Sequence, residues 1–565
     1  MRNIVRIICI LLVLASGATL IACSKQKGSD STIPSTLTDS TTTTNKKNEE
    51  KPPVEYTFDP SVPKAAKQAT SLYQINEPSS FTDKITLATL QGVVANLCED
   101  QILINGGAFN NYRPYLKKKW NCTLSTKVDG KAITIPNLVE HYKDQLAGYI
   151  LCAADTSSDS GNVAISLAGL LNAIVVTSEN QKICDVLGLP CLLDVTDKDD
   201  AWLRSSEYWP RLNQTIAFEQ PLNMAPKLVD YAVMSKSYFS FYNGHNSAEH
   251  RQKYSFLQDN GIVFGYNNTL GEYDTVASFS AENLQMIPSD HAYNLSTLSG
   301  FKTAVLEQKT KEVSGETSKK VHTVCIILSD GDNVQWLTND FSTSDKWWAN
   351  SYRGKFDMGW GLPPTALDLT APMTAYLYDK MTERDEFVMQ LSGLGYTFPS
   401  KWSKSARDDM AEKLAEYMVR SDLHYAEILD DNGLNKSVMS SFTKQNGIDG
   451  LFYIDYSNYA GKNGQILWSD GKPVVAARYR LWANTGDGSI SAISGKVNRA
   501  STNPKDADAY SFIIIHAWSG LNGNNLVEGG NTMKAVTELV KAFDKDVEVV
   551  TPSEFMNRII ENKAK

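Results

Sequence analysis

Two hydrophobic periods run through this chain, and the places where one gives way to the other mark its elements. In residues 84–98, KITLATLQGVVANLC, apolar positions recur at three- and four-residue spacing, which predicts a helix. The short apolar run QILING follows it. AGYILCA then reads as a buried strand, AISLAGLLNA as a helix running into the strand IVVT, and HRQKYSFLQDN as a helix ahead of GIVFGY. Alternation of this kind across residues 56–306 predicts an N-terminal α/β sheet domain. The polar run EQKTKEVSGETSKK, residues 307–320, reads as a connector.

Residues 321–565 carry eight further strand candidates: HTVCIILS, KFDMGWGL, EFVMQLSG, HYAEILD, GLFYIDY, PVVAARYRL, YSFIIIHAW and VEVVT. Helical patterns such as MTAYLYDKM, ARDDMAEKLAEYMVRS and MKAVTELVKAF fall between several of them. The segment has the ~250-residue size of a (β/α)8 barrel, so a C-terminal barrel of TIM type is expected. After the fifth strand, NYAGKNGQILWSDGK reads as a hairpin instead of a helix, which predicts an irregular barrel or a seven-stranded relative.

Chemistry in such barrels collects at the carboxyl ends of the strands. Those ends carry Asp330, Asp332 and Asn333, then Trp360, Ser392 and Tyr396, Asp430 and Asp431, Asp455, Arg478 and Arg480, His516 and Trp518, and Glu554. The first of them lies in LSDGDN, residues 328–333. As a plain turn, this stretch would bond its side chains to nearby amides and use glycine for a positive φ. At a barrel mouth, two partly desolvated like charges raise the pKa of one of the pair, which makes acid/base material. Asp332 with Asp455, facing it from the fifth strand, is the expected catalytic pair, with Asp330 tuning the charge. A salt bridge from Asp455 to Arg478 is the structural alternative. Asp430 and Asp431, in ILDDNG, read as solvated, and Glu554, in TPSEF, as a helix capping-box residue. His245 and His250, in HNSAEH, read as a surface turn. In SGLGYTFPSKW, Gly393 and Gly395 let the backbone approach something closely, beside the aromatic surface of Tyr396 and Phe398.

With 565 residues, 42% of them hydrophobic, the chain can bury more than one core. Its net charge of −9 comes without any face lined by Lys and Arg, which argues against a nucleic-acid partner. No GxGxxG or Walker-type loop supports nucleotide binding. The first residues are an address: Arg2 and Arg6 precede the apolar run IICILLVLA, and LIAC at positions 20–23 resembles the lipobox of bacterial lipoproteins. The resemblance implies removal of residues 1–22 and lipidation of Cys23. The protein would then be anchored to the bacterial cell envelope, at the outer membrane, touching the membrane only through acyl chains. Residues 23–55, rich in Ser and Thr, are expected to be a disordered stalk. The cysteines beyond Cys23 show no metal-ligand spacing. They read as structural thiols, with Cys98–Cys122 and Cys184–Cys191 open as disulfide pairs.

GLGYTFP resembles the signature of the GxGYxYP glycoside hydrolases, with Phe398 where the signature has Tyr. SDGDNVQW and IPSDHAYNLSTLSG, residues 287–300, are similar to further segments of that family, so the resemblance covers most of the chain. It implies a carbohydrate-active site on an oligo- or polysaccharide; no cofactor is expected for that reading. Sugars stack their C–H faces on aromatic rings and bond their hydroxyls to carboxylates and amides. Trp336, Trp360 and Trp518 are the favoured rings among the eleven tryptophans. Asn333, Tyr396, Arg478 and His516 are expected to bind substrate, with Asp290 and Asn294 of PSDHAYN lining an interdomain cleft. Glycoside hydrolysis by Asp330, Asp332 and Asp455 is the leading expectation. Two others stand beside it: a deacetylase in which Asp330, Asp332 and His516 hold a divalent metal, and a glycan-binding lipoprotein without catalysis.

Overall fold

In the computed structural model, residues 61–303, 305–431 and 434–564 are described. The leader, Cys23 and the stalk lie outside them. The N-terminal region holds three small parallel sheets where the sequence suggested one. In the first, Ser71–Asn76 runs between Asp100–Asn105 and Thr123–Ser125. In the second, Gly148–Leu151 runs between Ala173–Val176 and Cys191–Asp194. The third orders its strands Tyr238–Ser240, Ile216–Glu219, Ile262–Gly265 and Gln285–Ile287. Helices weld the three sheets together. Phe81–Leu97 starts where the Ser80 side chain accepts from the Asp83 amide, and it is buried along most of its length. It packs on the strand Ala173–Val176 of the second sheet and on the helix Val229–Met234.

The C-terminal part is a curled half-barrel sheet with nine strands along one path. From one end these are Ile466–Ser469, Lys472–Ala476, Gly450–Asp455, Tyr425–Asp430, Asp385–Met389, Met358–Leu362, His322–Leu328, Tyr510–Ile515 and Tyr479–Leu481. Val547–Val550 pairs off this path with the lower half of His322–Leu328. That edge is free because Met358–Leu362 pairs only with Ile327 and Leu328 at the upper end. The regular eight-stranded alternation is therefore not what forms. The hairpin read after the fifth strand is present, with Ile466–Ser469 antiparallel to Lys472–Ala476. Beyond it the chain changes neighbours within two residues: Ala477 N–H donates to Tyr453 O and Arg478 N–H to Phe512 O.

Several expected site residues belong to this framework. Trp360 is fully buried, donates through Nε1 to Asp385 Oδ1 at 2.9 Å, and packs edge-on against Trp348. Arg478 is spent on Tyr510 O and Asp508, at 3.0 and 2.9 Å, so it neither pairs with Asp455 nor faces a ligand. Asp430 is buried, not solvated, and accepts from the Ser400 amide and hydroxyl. His250 is likewise buried, 2.8 Å from Glu219. Thr551 caps the last helix by accepting from the Glu554 amide, but Glu554 does not close the capping box read in TPSEF: its carboxylate accepts from the Ser314 amide and from Arg558 Nε instead. Cys98, Cys122, Cys152, Cys184, Cys191 and Cys325 are free thiols. Among the described residues no helix is long and apolar enough to cross a membrane.

Candidate active site

The first strand of the curled sheet, HTVCIIL, is buried along its whole length and ends abruptly in Ser329–Asn333. Asp330, not the glycine, takes the left-handed conformation there, with φ of 65°. Gly331 is required for a different reason: a Cβ on it would strike the backbone of Gly361 on the neighbouring strand. Its amide donates to Gln390 Oε1 at 2.7 Å, and Gln390 Nε2 donates to Leu328 O and to Glu427 Oε1. This clamp drives the loop into the mouth of the sheet and buries Asp332, which is 5% exposed.

The carboxyl ends of the C-terminal strands then surround a cavity of about 580 Å³. Asp330, Asp332, Glu427 and Tyr456 line it, with Trp482, His516 and Trp518 on a further side. Facing them are residues from the carboxyl ends of the third N-terminal sheet: Tyr266, Glu272, Asp290 and His291. Trp482 lies flat on His516, with ring centroids 3.9 Å apart and planes within 5°. Trp518 is backed by Trp336 and Trp347 at 5.1 and 5.3 Å.

Five carboxyl groups, Glu272, Asp290, Asp330, Asp332 and Glu427, in one partly enclosed space cannot all ionise cheaply. Burial pushes Asp332 from 3.8 up to about 8, and the Asp330 carboxylate beside it adds to the rise, followed by Glu272. Burial holds Glu427 well above the ordinary glutamate range, with Asp332 and Asp330 adding to it. One oxygen of Glu427, Oε2, has no hydrogen-bond partner. Glu272 is also raised, first by burial, while the hydrogen bond from Tyr396 Oη at 2.9 Å works against the rise. Burial lowers His516, against the pull of Asp330. Its Nδ1 is 2.9 Å from Ser519 Oγ. Asp330 accepts a hydrogen bond from Ser329 Oγ.

The SGLGYTFP loop positions Tyr396 by leaving the C-terminal sheet for the N-terminal region. Met286 and Tyr396 exchange backbone hydrogen bonds, N–H to O at 3.0 and 2.7 Å. A Cβ on Gly395 would lie 2.6 Å from Met286 O, so only glycine permits this approach. Phe398 is buried among Tyr273, Tyr396 and Tyr456, where its ring fills an aromatic contact.

Comparison with known proteins bears on what this arrangement is. Residues 320–559 match the GxGYxYP putative glycoside hydrolase C-terminal domain, 213–300 the GxGYxYP third domain, and 146–212 the GxGYxYP_N second domain. The chain belongs to the GxGYxYP family. A crystal structure of a protein described as a putative hydrolase from Bacteroides thetaiotaomicron VPI-5482 is similar to it. The two are 29% identical over 89% of this chain and 98% of that one, with a TM-score of 0.78. No curated protein matches the chain.

Of the residues expected to form the site, this GxGYxYP chain gathers Asp330, Asp332, Asn333, Tyr396, His516, Trp518 and Asp290 around one cavity. Asp455 is elsewhere: it accepts from the Ser457 amide and hydroxyl and lies 3.3 Å from Lys462. The fifth strand ends by folding that carboxylate back onto its own loop. Asn294 is also displaced. Its amide accepts from Ile104 N and Gln91 Nε2 and donates to Ile104 O, pinning its segment to the first N-terminal sheet. Trp336 stands behind Trp518 instead of touching the cavity. Among the described residues, no three His, Cys, Asp or Glu side chains are grouped as a metal-ligand set.

Glu427, Glu272, Tyr266, Tyr456 and Trp482 were not read from the sequence. For Glu427 a signal existed: an acid in the middle of the apolar strand YAEILD, on the same face as Tyr425 and Leu429. Glu272 had none, because nothing local ties GEYD to a strand end 58 residues further along.

Proposed function

We propose that this protein is a glycoside hydrolase acting on an oligo- or polysaccharide, with Asp332 as proton donor and Asp330 as its partner carboxylate. The observation that carries the reading is the buried Asp332, its carboxyl pushed up to about 8 by burial and by Asp330 beside it, in a cavity walled by indole and phenol rings. Hydrolysis of a glycosidic bond needs an acid for the leaving oxygen and a negative charge for the oxocarbenium-like transition state. Asp332 holds its proton at neutral pH because the cavity denies it water, and it transfers that proton as the glycosidic C–O bond breaks. Water attacks the anomeric carbon as that bond breaks and gives up its proton to the Asp330 carboxylate, which also steadies the positive charge that builds on the carbon. Glu272, held by the signature residue Tyr396, closes the site from the N-terminal side and discourages ionisation of Asp332. Tyr456, Trp482 and Trp518 offer ring faces to the sugar.

The roles are separable with aryl glycosides drawn from a sugar panel. A good leaving group needs no protonation. Asp332→Asn should therefore spare activated aryl glycosides while losing at least about a hundredfold on natural linkages. Asp330→Asn should lose activity on both, and added azide should restore it. If neither variant changes hydrolysis of a glycan that the wild type cleaves, the assignment is wrong.

A further inference from the structure

A second cavity of about 570 Å³ adjoins the first and shares Tyr266, Asn268, Asp290 and His291 with it. Its chemistry is different. Where the first cavity concentrates carboxylates, the second adds to the shared Asp290 one acid, the exposed Asp159, and is otherwise lined by neutral amides and hydroxyls, Asn162, Asn223, Asn243, Thr156, Ser157 and Thr269, and by Pro221, Leu222 and Met224. Phe241 and Tyr266 add half-buried rings, and neither has a ring contact with another aromatic side chain among the described residues. Gln220 and Asn162 line it as well. Both are buried, and the side-chain carbonyl oxygen of each lacks a hydrogen-bond donor. Gln220 is fixed by its own Nε2, which donates to Asp290 O at 2.7 Å.

The topology gives an independent reason to expect a ligand here. In the third N-terminal sheet, Ile216–Glu219 lies beside Ile262–Gly265. The chain leaves the first of these toward Tyr238–Ser240 on one side and the second toward Gln285–Ile287 on the other. The loops diverge. In parallel α/β sheets the crevice outside the carboxyl ends of two such strands is where ligands bind. The loops that open this crevice begin at Gln220 and at Tyr266, which are the walls of the second cavity. The second sheet contributes from the same kind of position, with Thr156–Asp159 following Gly148–Leu151.

We infer that this second cavity is a run of accessory sugar subsites, so that one neutral glycan extends from the catalytic cavity past Tyr266 and His291 into the crevice of the N-terminal sheets. The inference rests on the glycoside hydrolase reading for the first cavity. A polyhydroxylated, uncharged chain matches the lining: hydroxyls meet amides that both donate and accept, ring faces meet C–H faces, and the one acid that the first cavity does not share, Asp159, is exposed and can accept from a sugar hydroxyl. Asp290 and His291, at the junction, separate the acidic mouth from the neutral groove.

The test uses the full chain carrying Asp332→Asn, so that bound sugar is not cleaved. It is titrated calorimetrically with mono- to hexasaccharide ladders of neutral glucans, xylans, mannans and chitin. In at least one ladder, affinity should rise at least about tenfold between the disaccharide and the tetra- to hexasaccharide. Phe241→Ala, and separately Ser157→Trp at an exposed position, should erase that gain and leave disaccharide affinity unchanged. Absence of any length-dependent gain, or a gain that survives both variants, overturns the groove. Cleavage assays of the chain with Asp332 intact keep the two ideas apart. Length-dependent, Phe241-sensitive binding without cleavage removes the hydrolase reading and leaves the groove. Cleavage without any length dependence removes the groove alone.

Discussion

Replacing Asp332 by Asn probes stability and chemistry with one atom exchange. The wild-type carboxyl keeps its proton in the folded state up to about pH 8, whereas in the unfolded chain it releases it near 3.8. Between those values the folded protein binds a proton that the unfolded chain has lost, so stability falls as pH rises across that window and levels off above it. Each pH unit in the window costs 1.36 kcal/mol, and about four of them amount to on the order of 5 kcal/mol held against the fold at pH 8. Asparagine has the same shape and no proton to lose. The variant should match the wild type near pH 4 and exceed it progressively toward pH 8. Urea unfolding followed by tryptophan fluorescence at each pH from 4 to 9 measures the difference. Activity on natural linkages should collapse in the same variant. Parallel stability curves for the two proteins from pH 4 to pH 8 would refute the burial argument, and with it the reason for regarding Asp332 as a neutral proton donor.

Other outcomes follow from the same geometry. Glu272→Gln removes a negative charge that raises Asp332, so the alkaline limb of the kcat/KM profile should move to lower pH. An unchanged limb would mean that Glu272 does not act on the donor. Tyr396→Phe deletes the hydroxyl that lowers Glu272; the pKa of Glu272 should rise, as read by carboxyl NMR, with little loss of fold. Gly395→Ala drives a methyl group against Met286 O. It should cost roughly 1–3 kcal/mol, seen as a lowered Tm, whereas alanine at the exposed Gly486 should cost much less. Lipidation at Cys23, proposed from the LIAC resemblance alone, has its own check: if Cys23 carries acyl chains, Cys23→Ala should abolish incorporation of labelled palmitate and release the protein to the soluble fraction of the producing bacterium.

The barrel-like half was legible because its strands are apolar runs that end in chemistry. HTVCIIL pointed straight to Asp330 and Asp332, and YSFIII to His516 and Trp518. Reading positions only at strand ends failed where the chain turns back on itself. Asp455 ends a strand as expected, yet Ser457 and Lys462 draw it away from the mouth. Glu427 escaped notice because it lies inside its strand, where burial and not position gives it meaning. Trp360 and Trp336 were indistinguishable in sequence from Trp518, since an indole at a strand end serves a core as well as a ligand. The N-terminal contribution is non-local: Glu272 reaches the site only because the signature loop and the strand Gln285–Ile287 pair across the two regions.

That pairing has a mechanical consequence. Two amide hydrogen bonds between Met286 and Tyr396, with no side chain between them, rivet the lobes together beside the acids themselves. At the rivet the gap cannot widen without breaking both bonds, so the mouth there behaves as a mould of set width and not as a pair of closing jaws. The C-terminal lobe produced alone would be that mould with one wall missing.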